Sequence, residues 1–227
     1  MVGWSELIFG SMYCGKSEEL IRRLKRVKIA GQKYQLFKPA IDNRYGEEVV
    51  ATHENNEVKK KVEKILDVHI KEDLKVTLTE QVVEQLSGAM EAIVVNNPKE
   101  ILDNIYDDTE VVGIDEVQFF NEELIEVIDV LVRRGKRVIM AGLDMYSSGQ
   151  PWGIVPHLAC KAKYVEKLHA VCVDCGKDGY LSYKIDNDEH NKKSNIDVGS
   201  VNKYIALCEN CAQKRTNKIL RIKKEKK

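Results

Sequence analysis

The chain has 227 residues, 43% hydrophobic and 32% charged, which suits a soluble globular protein with one sizeable core and a small appendage. Lys+Arg and Asp+Glu both total 36, so no whole-chain field gathers nucleic acid, and small molecules or other subunits are the expected partners. No run of ~18 apolar residues is present to span a bilayer, and the N-terminal residues show neither a signal-peptide apolar region nor glycine at position 2, so no membrane contact and a cytoplasmic address are expected.

The first predicted strand, Ser5–Phe9, runs into Gly10-Ser11-Met12-Tyr13-Cys14-Gly15-Lys16-Ser17, a complete G-x-x-x-x-G-K-S phosphate loop. Glycines let backbone N–H groups curl around phosphate oxygens, Lys16 places a point charge on the terminal phosphates, and Ser17 offers a hydroxyl to Mg²⁺. Leu20, Ile21, Leu24 and Val27 then recur at helical spacing, so a helix over Lys16–Ala30 places the phosphates at its N-terminus. Cys14 is a thiol inside this loop and a candidate for oxidation.

A strand over Tyr34–Lys38 comes next, and residues 54–90 are charge-rich with two helical patterns, Val58, Val62, Ile65 and Leu66, then Val82, Val83 and Leu86. They read as two short surface helices, either a dimerising or regulatory insert or an excursion packed on the core. Strands over Ala92–Asn96, Val111–Asp115 and Arg137–Ala141, with helices over Pro98–Tyr106 and Glu122–Arg134, complete the pattern. Apolar strands alternating with helices imply an α/β fold, a P-loop NTPase-like parallel sheet flanked by helices.

The strand Val111–Asp115 ends in the carboxylates of Asp115 and Glu116, as a Walker-B strand does beside its phosphate loop. Asp115 is suited to hold Mg²⁺ and Glu116 to take the proton of an acceptor hydroxyl; a helix-capping role is the other reading of the pair. Gln118, Phe119 and Phe120 follow, and their aromatic rings suit stacking on a flat base or simple core packing. None of the five histidines is assigned catalysis.

Cys172 and Cys175 form one C-x-x-C pair, Cys208 and Cys211 another, separated by a 32-residue loop that exceeds the usual ~15–20. Two such pairs read as a closed four-thiolate Zn²⁺ site, the alternative being a redox dithiol in one pair. Cys160 reads as a small core residue. The expected organisation is a kinase-like α/β unit at 1–168 with the insert at about 54–90, a zinc unit at 169–215, and a basic, disordered tail at 216–227.

These motifs resemble thymidine kinases of the cytosolic, zinc-containing type. The likeness rests on Phe9–Arg23, Lys38–Tyr45, Thr52-His53, Ile114–Phe120, Gly142–Met145, Lys167–Cys175 and Tyr204 before Cys208, in matching order and spacing. It implies transfer of the ATP γ-phosphoryl group to the 5′-hydroxyl of thymidine, giving dTMP for DNA synthesis, with Glu116 as proton acceptor and Mg²⁺ on Ser17 and Asp115. By the same resemblance Asp42, Arg44, Asp115 and Gln118 join the phosphate loop in binding ATP. The thymine is expected under a lasso loop carried by the zinc unit, Asn195-Ile196-Asp197-Val198-Gly199, with Tyr204 just beyond and Phe119 lining the base pocket. Feedback inhibition by dTTP and a homo-oligomer, tetramer or dimer, are implied too. This chain departs from the family where Ser147 replaces the usual Phe, where Trp152 stands in the Pro-Phe-Gly motif, and where Gly199-Ser200 replaces Gly-Gly. The rival readings are another nucleoside or nucleotide kinase with a zinc-bearing lid, or a non-catalytic nucleic-acid module gated by ATP.

Overall fold

A computed structural model describes residues 2–42, 49–50, 90–185 and 203–225. Arg44, Thr52-His53, residues 54–89 of the expected insert and the lasso residues Asn195–Gly199 lie outside the described residues. The sheet contains β1 (Trp4–Gly10), β2 (Tyr34–Pro39), β5 (Ile93–Val95), β6 (Val111–Ile114), β7 (Arg137–Leu143) and β8 (Tyr164–Leu168). They lie side by side as β5-β2-β6-β7-β1-β8. Every pairing is parallel.

Successive side chains of these strands go to opposite faces, and the core divides accordingly. Leu7, Phe37, Val112, Ile114, Val138 and Met140 face one side, and there they pack on α2 (Lys99–Asn104), α3 (Glu123–Arg133) and α4 (Val155–Lys161) through Ile101, Leu124, Val127, Ile128, Leu131, Val155 and Leu158. Ile8, Leu36, Val111, Ile139 and Ala141 face the other and meet Leu20, Ile21, Leu24 and Val27 of α1 (Lys16–Ile29). Burial on both faces is why these strands read as continuous apolar runs. The expected parallel sheet flanked by helices is the architecture found.

Four features go beyond that reading. β8 adds a sixth strand at the sheet edge, with Tyr164 and Val165 exposed. The helix α4 carries Pro156 in its first turn. β3 (Val49–Val50) and β4 (Met90–Glu91) pair antiparallel, which brings together the two ends of the intervening segment. The fourth concerns the tail, which from residue 216 to Glu225 belongs to α5 (Glu209–Glu225).

Beyond β8 the chain builds two small antiparallel pairs, β9 (Ala170–Val171) with β10 (Asp178–Gly179) and β11 (Leu181–Lys184) with β12 (Tyr204–Leu207). Cys172, Leu207, Cys211 and Ala212 are the buried centre of this module, packed by Leu181, Tyr183 and Ile205.

Candidate active site

The phosphate loop, the carboxylates of Asp115 and Glu116, and Asp144 gather at the C-terminal ends of β1, β6 and β7, where ligands bind in open parallel sheets. The strand β1 ends at Gly10 and α1 begins at Lys16, so residues 11–15 form the phosphate loop. A Cβ at Gly10 would lie 2.1 Å from the Leu168 carbonyl oxygen, which excludes any other residue there. Gly15 takes a left-handed conformation (φ 84°), and so does Tyr13 (φ 65°), which lacks glycine's freedom and stores strain on the order of 1–2 kcal/mol.

Lys16 is buried and its Nζ donates to the Ser11 carbonyl oxygen at 2.7 Å, with Cys14 Sγ at 3.7 Å. Burial pushes the Cys14 thiol up; the Lys16 ammonium opposes that and the Asp144 carboxylate adds to it. The net rise keeps Cys14 a neutral, weakly nucleophilic thiol, so oxidation finds little thiolate there.

Ser17 Oγ donates to Asp115 Oδ2 at 3.0 Å, so the hydroxyl and carboxylate expected at Mg²⁺ are in direct contact. The other Asp115 oxygen accepts the Glu116 N–H at 2.9 Å. Glu116 itself is left-handed (φ 52°) and opens a 3-10 turn over Val117–Phe119. That unusual backbone turns the chain between two buried carboxylates. Gln118 then holds Glu116 in place: its Nε2 donates to Glu116 Oε2, while its Oε1 accepts the Leu143 N–H of β7 at 2.9 Å. Expected among the phosphate ligands, Gln118 is engaged here with Glu116 and β7. Asp42 is buried just past β2, its N–H donating to the Pro39 carbonyl oxygen.

The β7–α4 loop folds back on itself, Tyr146 N–H donating to Gln150 O and Trp152 N–H to Asp144 O, both at 2.9 Å. Tyr146 and Trp152 thereby stack, ring centroids 4.2 Å apart, and Phe119 meets Trp152 edge-on at 5.7 Å. Trp152, a departure at the level of sequence, joins Phe119 in one aromatic wall.

Asp144 falls in the matched stretch Gly142–Met145, yet the sequence reading gave it no role. It stands at the tip of β7, between the tips of β1 and β6, with its backbone N–H donating to Gly10 O at 3.3 Å. Its carboxylate is only 5% exposed and neither oxygen has a hydrogen bond; Lys167 Nζ lies 3.1 Å from Oδ2, near enough for charge pairing but outside hydrogen-bond geometry. A carboxylate directly after an apolar run, at the carboxyl end of a strand, was the available signal.

The cysteines of the two pairs place their four Sγ atoms within 4.8 Å of one another, Cys175 and Cys208 at 3.7 Å. A tetrahedral Zn²⁺ with Zn–S of about 2.3 Å needs sulfurs ~3.8 Å apart, so this set could hold zinc. Burial raises the Cys172 thiol, yet N–H donors from Cys208, Asp174 and Cys175 outweigh it and bring it to about 6. Cys211, facing the Cys208 thiol first and then those of Cys175 and Cys172, is pushed up to about 12. Crowded thiols oppose one another's ionisation, and a cation relieves that. Arg215 of α5 clamps Asp174 with two bonds of 2.7 and 2.5 Å, tying the helix to the first cysteine turn.

The cysteine module also touches the phosphate loop directly. Ser11 Oγ donates to Gly179 O at 3.0 Å, Met12 N–H to Ser182 Oγ at 2.9 Å, and Tyr13 OH to Tyr204 O at 3.0 Å. No helix among the described residues is long and apolar enough to cross a membrane.

Comparison with known proteins gives a family match over most of the chain: the model described as thymidine kinase matches residues 3–84 and 68–212. Among solved structures, a DNA replication initiation factor is similar with a TM-score of 0.37 and 13% identity, over 74% of this chain and 40% of that one. AMPPCP-bound DnaA from Aquifex aeolicus gives 0.37 and 12%, over 74% and 42%. The chain thus spans about two fifths of each of those proteins, and neither likeness bears on function.

Proposed function

The chain belongs to the thymidine kinase family, and on that premise we propose that it transfers the γ-phosphoryl group of ATP to the 5′-hydroxyl of thymidine, giving dTMP as a DNA precursor. The observation that carries the proposal is the meeting of two strand ends: Lys16-Ser17 after β1 and Asp115-Glu116 after β6, joined by the 3.0 Å bond from Ser17 to Asp115. In this reading the backbone of residues 10–17 cradles the ATP phosphates, and Lys16 transfers its ammonium from Ser11 O to their oxygens. Glu116, oriented by Gln118, accepts the proton of the 5′-hydroxyl as its oxygen attacks phosphorus and the bond to ADP breaks. Ser17 and Asp115 are hard oxygen ligands suited to Mg²⁺, which when bound neutralises charge on the transferring group. Asp42 and Arg44 are proposed to act on the same phosphates.

Thymine is proposed to lie against Phe119, with Trp152 and Tyr146 completing the wall. Residues Asn195–Gly199 and Tyr204 cover it, and the zinc module anchors that cover. We also propose a cytoplasmic homo-oligomer, tetramer or dimer, inhibited by dTTP with its base in the thymidine pocket and its phosphates along the donor site.

The test is ATP-dependent phosphorylation of thymidine, deoxyuridine, deoxycytidine and deoxyguanosine by the purified chain. We expect dTMP, with a loss of about 10²–10⁴-fold in Glu116→Gln. Turnover of another nucleoside keeps the mechanism and moves specificity to the Ser147–Trp152 loop; turnover of none defeats the proposal. A rate unchanged by millimolar dTTP removes the feedback element alone.

A further inference from the structure

We infer that the zinc module is a structural part of the donor-phosphate site, with Ser182 as the residue that positions the phosphate loop. The inference rests on the reading of residues 10–17 as an ATP site.

Three consecutive loop residues bond to the module: Ser11 through its hydroxyl, Met12 through its N–H, Tyr13 through its phenol. These partners are 168 to 191 residues away in sequence, so the loop's own segment supplies none of this support. The left-handed Tyr13 (φ 65°) explains why support is needed, since such a conformation persists in a non-glycine residue only where its surroundings fix it. The bonds bracket it, two on the residues before and one on its own ring.

On the module side two of the three acceptors are tied closely to the cysteines. Ser182 is buried on β11 and pairs with Ala206 of β12, whose carbonyl accepts the N–H of Val173, the residue after Cys172. Gly179 packs so tightly on the first cysteine turn that a Cβ there would lie 2.9 Å from Cys172 N. From thiolate cluster to phosphate loop is therefore two short steps through backbone. A module kept rigid by its metal keeps Met12 N–H and Ser11 in place, and the amides that follow are thereby presented to phosphate at no further ordering cost. Linkage makes the effect reciprocal: bound nucleotide holds the metal more firmly.

The experiment measures binding of a non-hydrolysable ATP analogue by calorimetry to the full chain and to Ser182→Ala and Ser182→Thr, with zinc content and thymidine KM determined on each. Removing the acceptor of the part-buried Met12 N–H is expected to weaken the analogue about tenfold. Zinc content and thymidine KM stay as in the unmodified chain, and Thr, which keeps the hydroxyl, restores affinity. The analogue is also expected to slow transfer of zinc to a chelating dye in the unmodified chain, and less so in Ser182→Ala. Analogue affinity within about twofold in Ser182→Ala overturns the inference; so does an equal loss for thymidine or a loss of zinc. An unmodified chain that binds no nucleotide at all overturns instead the ATP-site reading on which it stands.

Discussion

Glu6 shows how one side chain can hold several elements together. It is buried in the middle of β1, accepts from Arg137 of β7 at 2.6 and 3.2 Å, from Arg23 of α1 at 2.7 Å, and from the Trp4 indole N–H at 2.7 Å. Burial alone would raise its carboxyl, but the bonds from Arg137, Trp4 and Arg23 prevail and leave it below the ordinary 4.5. A carboxyl lowered in the folded state contributes stability that is complete above about pH 4.5 and disappears as pH falls through the folded value. We therefore expect Glu6→Gln to cost about 2–4 kcal/mol at neutral pH and to flatten the acid limb of the stability curve, measured by urea unfolding across pH. Parallel curves for the two proteins would exclude this role. At this scale the sequence discloses residues whose chemistry requires a type at a spacing, such as Lys16, Asp115 and the four cysteines. It conceals Gly179 and Ser182, whose roles arise only when distant segments meet.

The 3-10 turn that carries Glu116 and Gln118 rests on β7, and Gly142 is the contact. A Cβ there would lie 2.6 Å from Val117 Cγ2 and 2.7 Å from Gln118 Oε1. Gly142→Ala is expected to push the turn away and break the bridge from Leu143 N–H through Gln118 to Glu116. On the order of 10²-fold should be lost from kcat for a displacement of about 1 Å, with Tm lowered by only a few degrees. Full activity would show that the turn yields without moving Glu116. Elements buried on two faces were legible as apolar runs, and the five strands and three helices so read are present within a residue or two at most ends. The strand β8 was not, because it is an edge strand whose outward residues, Tyr164, Val165 and Glu166, give no apolar run. The end of α5 escaped for a related reason: its Lys/Arg-rich residues carry no apolar period, and its start is fixed by Cys211 and Ala212 in the core of the cysteine module.

Across the whole molecule, the phosphate loop and the carboxylate pair sit at one end of the sheet, and the module that holds the four cysteines bonds directly to that loop. Tyr204, next to the expected nucleoside cover, and Ser182, beneath the phosphate loop, stand on the same two-stranded pair. Cys172→Ser should abolish zinc binding, from about one ion per chain to near none by metal analysis, and raise the thymidine KM several-fold. Unchanged zinc content would argue against a four-thiolate site. The sequence foresaw both halves of this arrangement but not their contact, since no spacing rule links residues 11–13 to 179–204.

The aromatic wall also makes the protein its own optical probe. Only two tryptophans are present. Trp4 is fixed by its bond to Glu6 beside Arg137 and Lys163, on β1 before the sheet's active end, whereas Trp152 stacks on Tyr146 and faces Phe119. A pyrimidine entering against Phe119 should alter the emission of Trp152 and leave that of Trp4 as a constant background. Titration with thymidine is thus expected to give a saturable fluorescence change that is absent in Trp152→Phe, a readout of acceptor occupancy that needs neither ATP nor turnover.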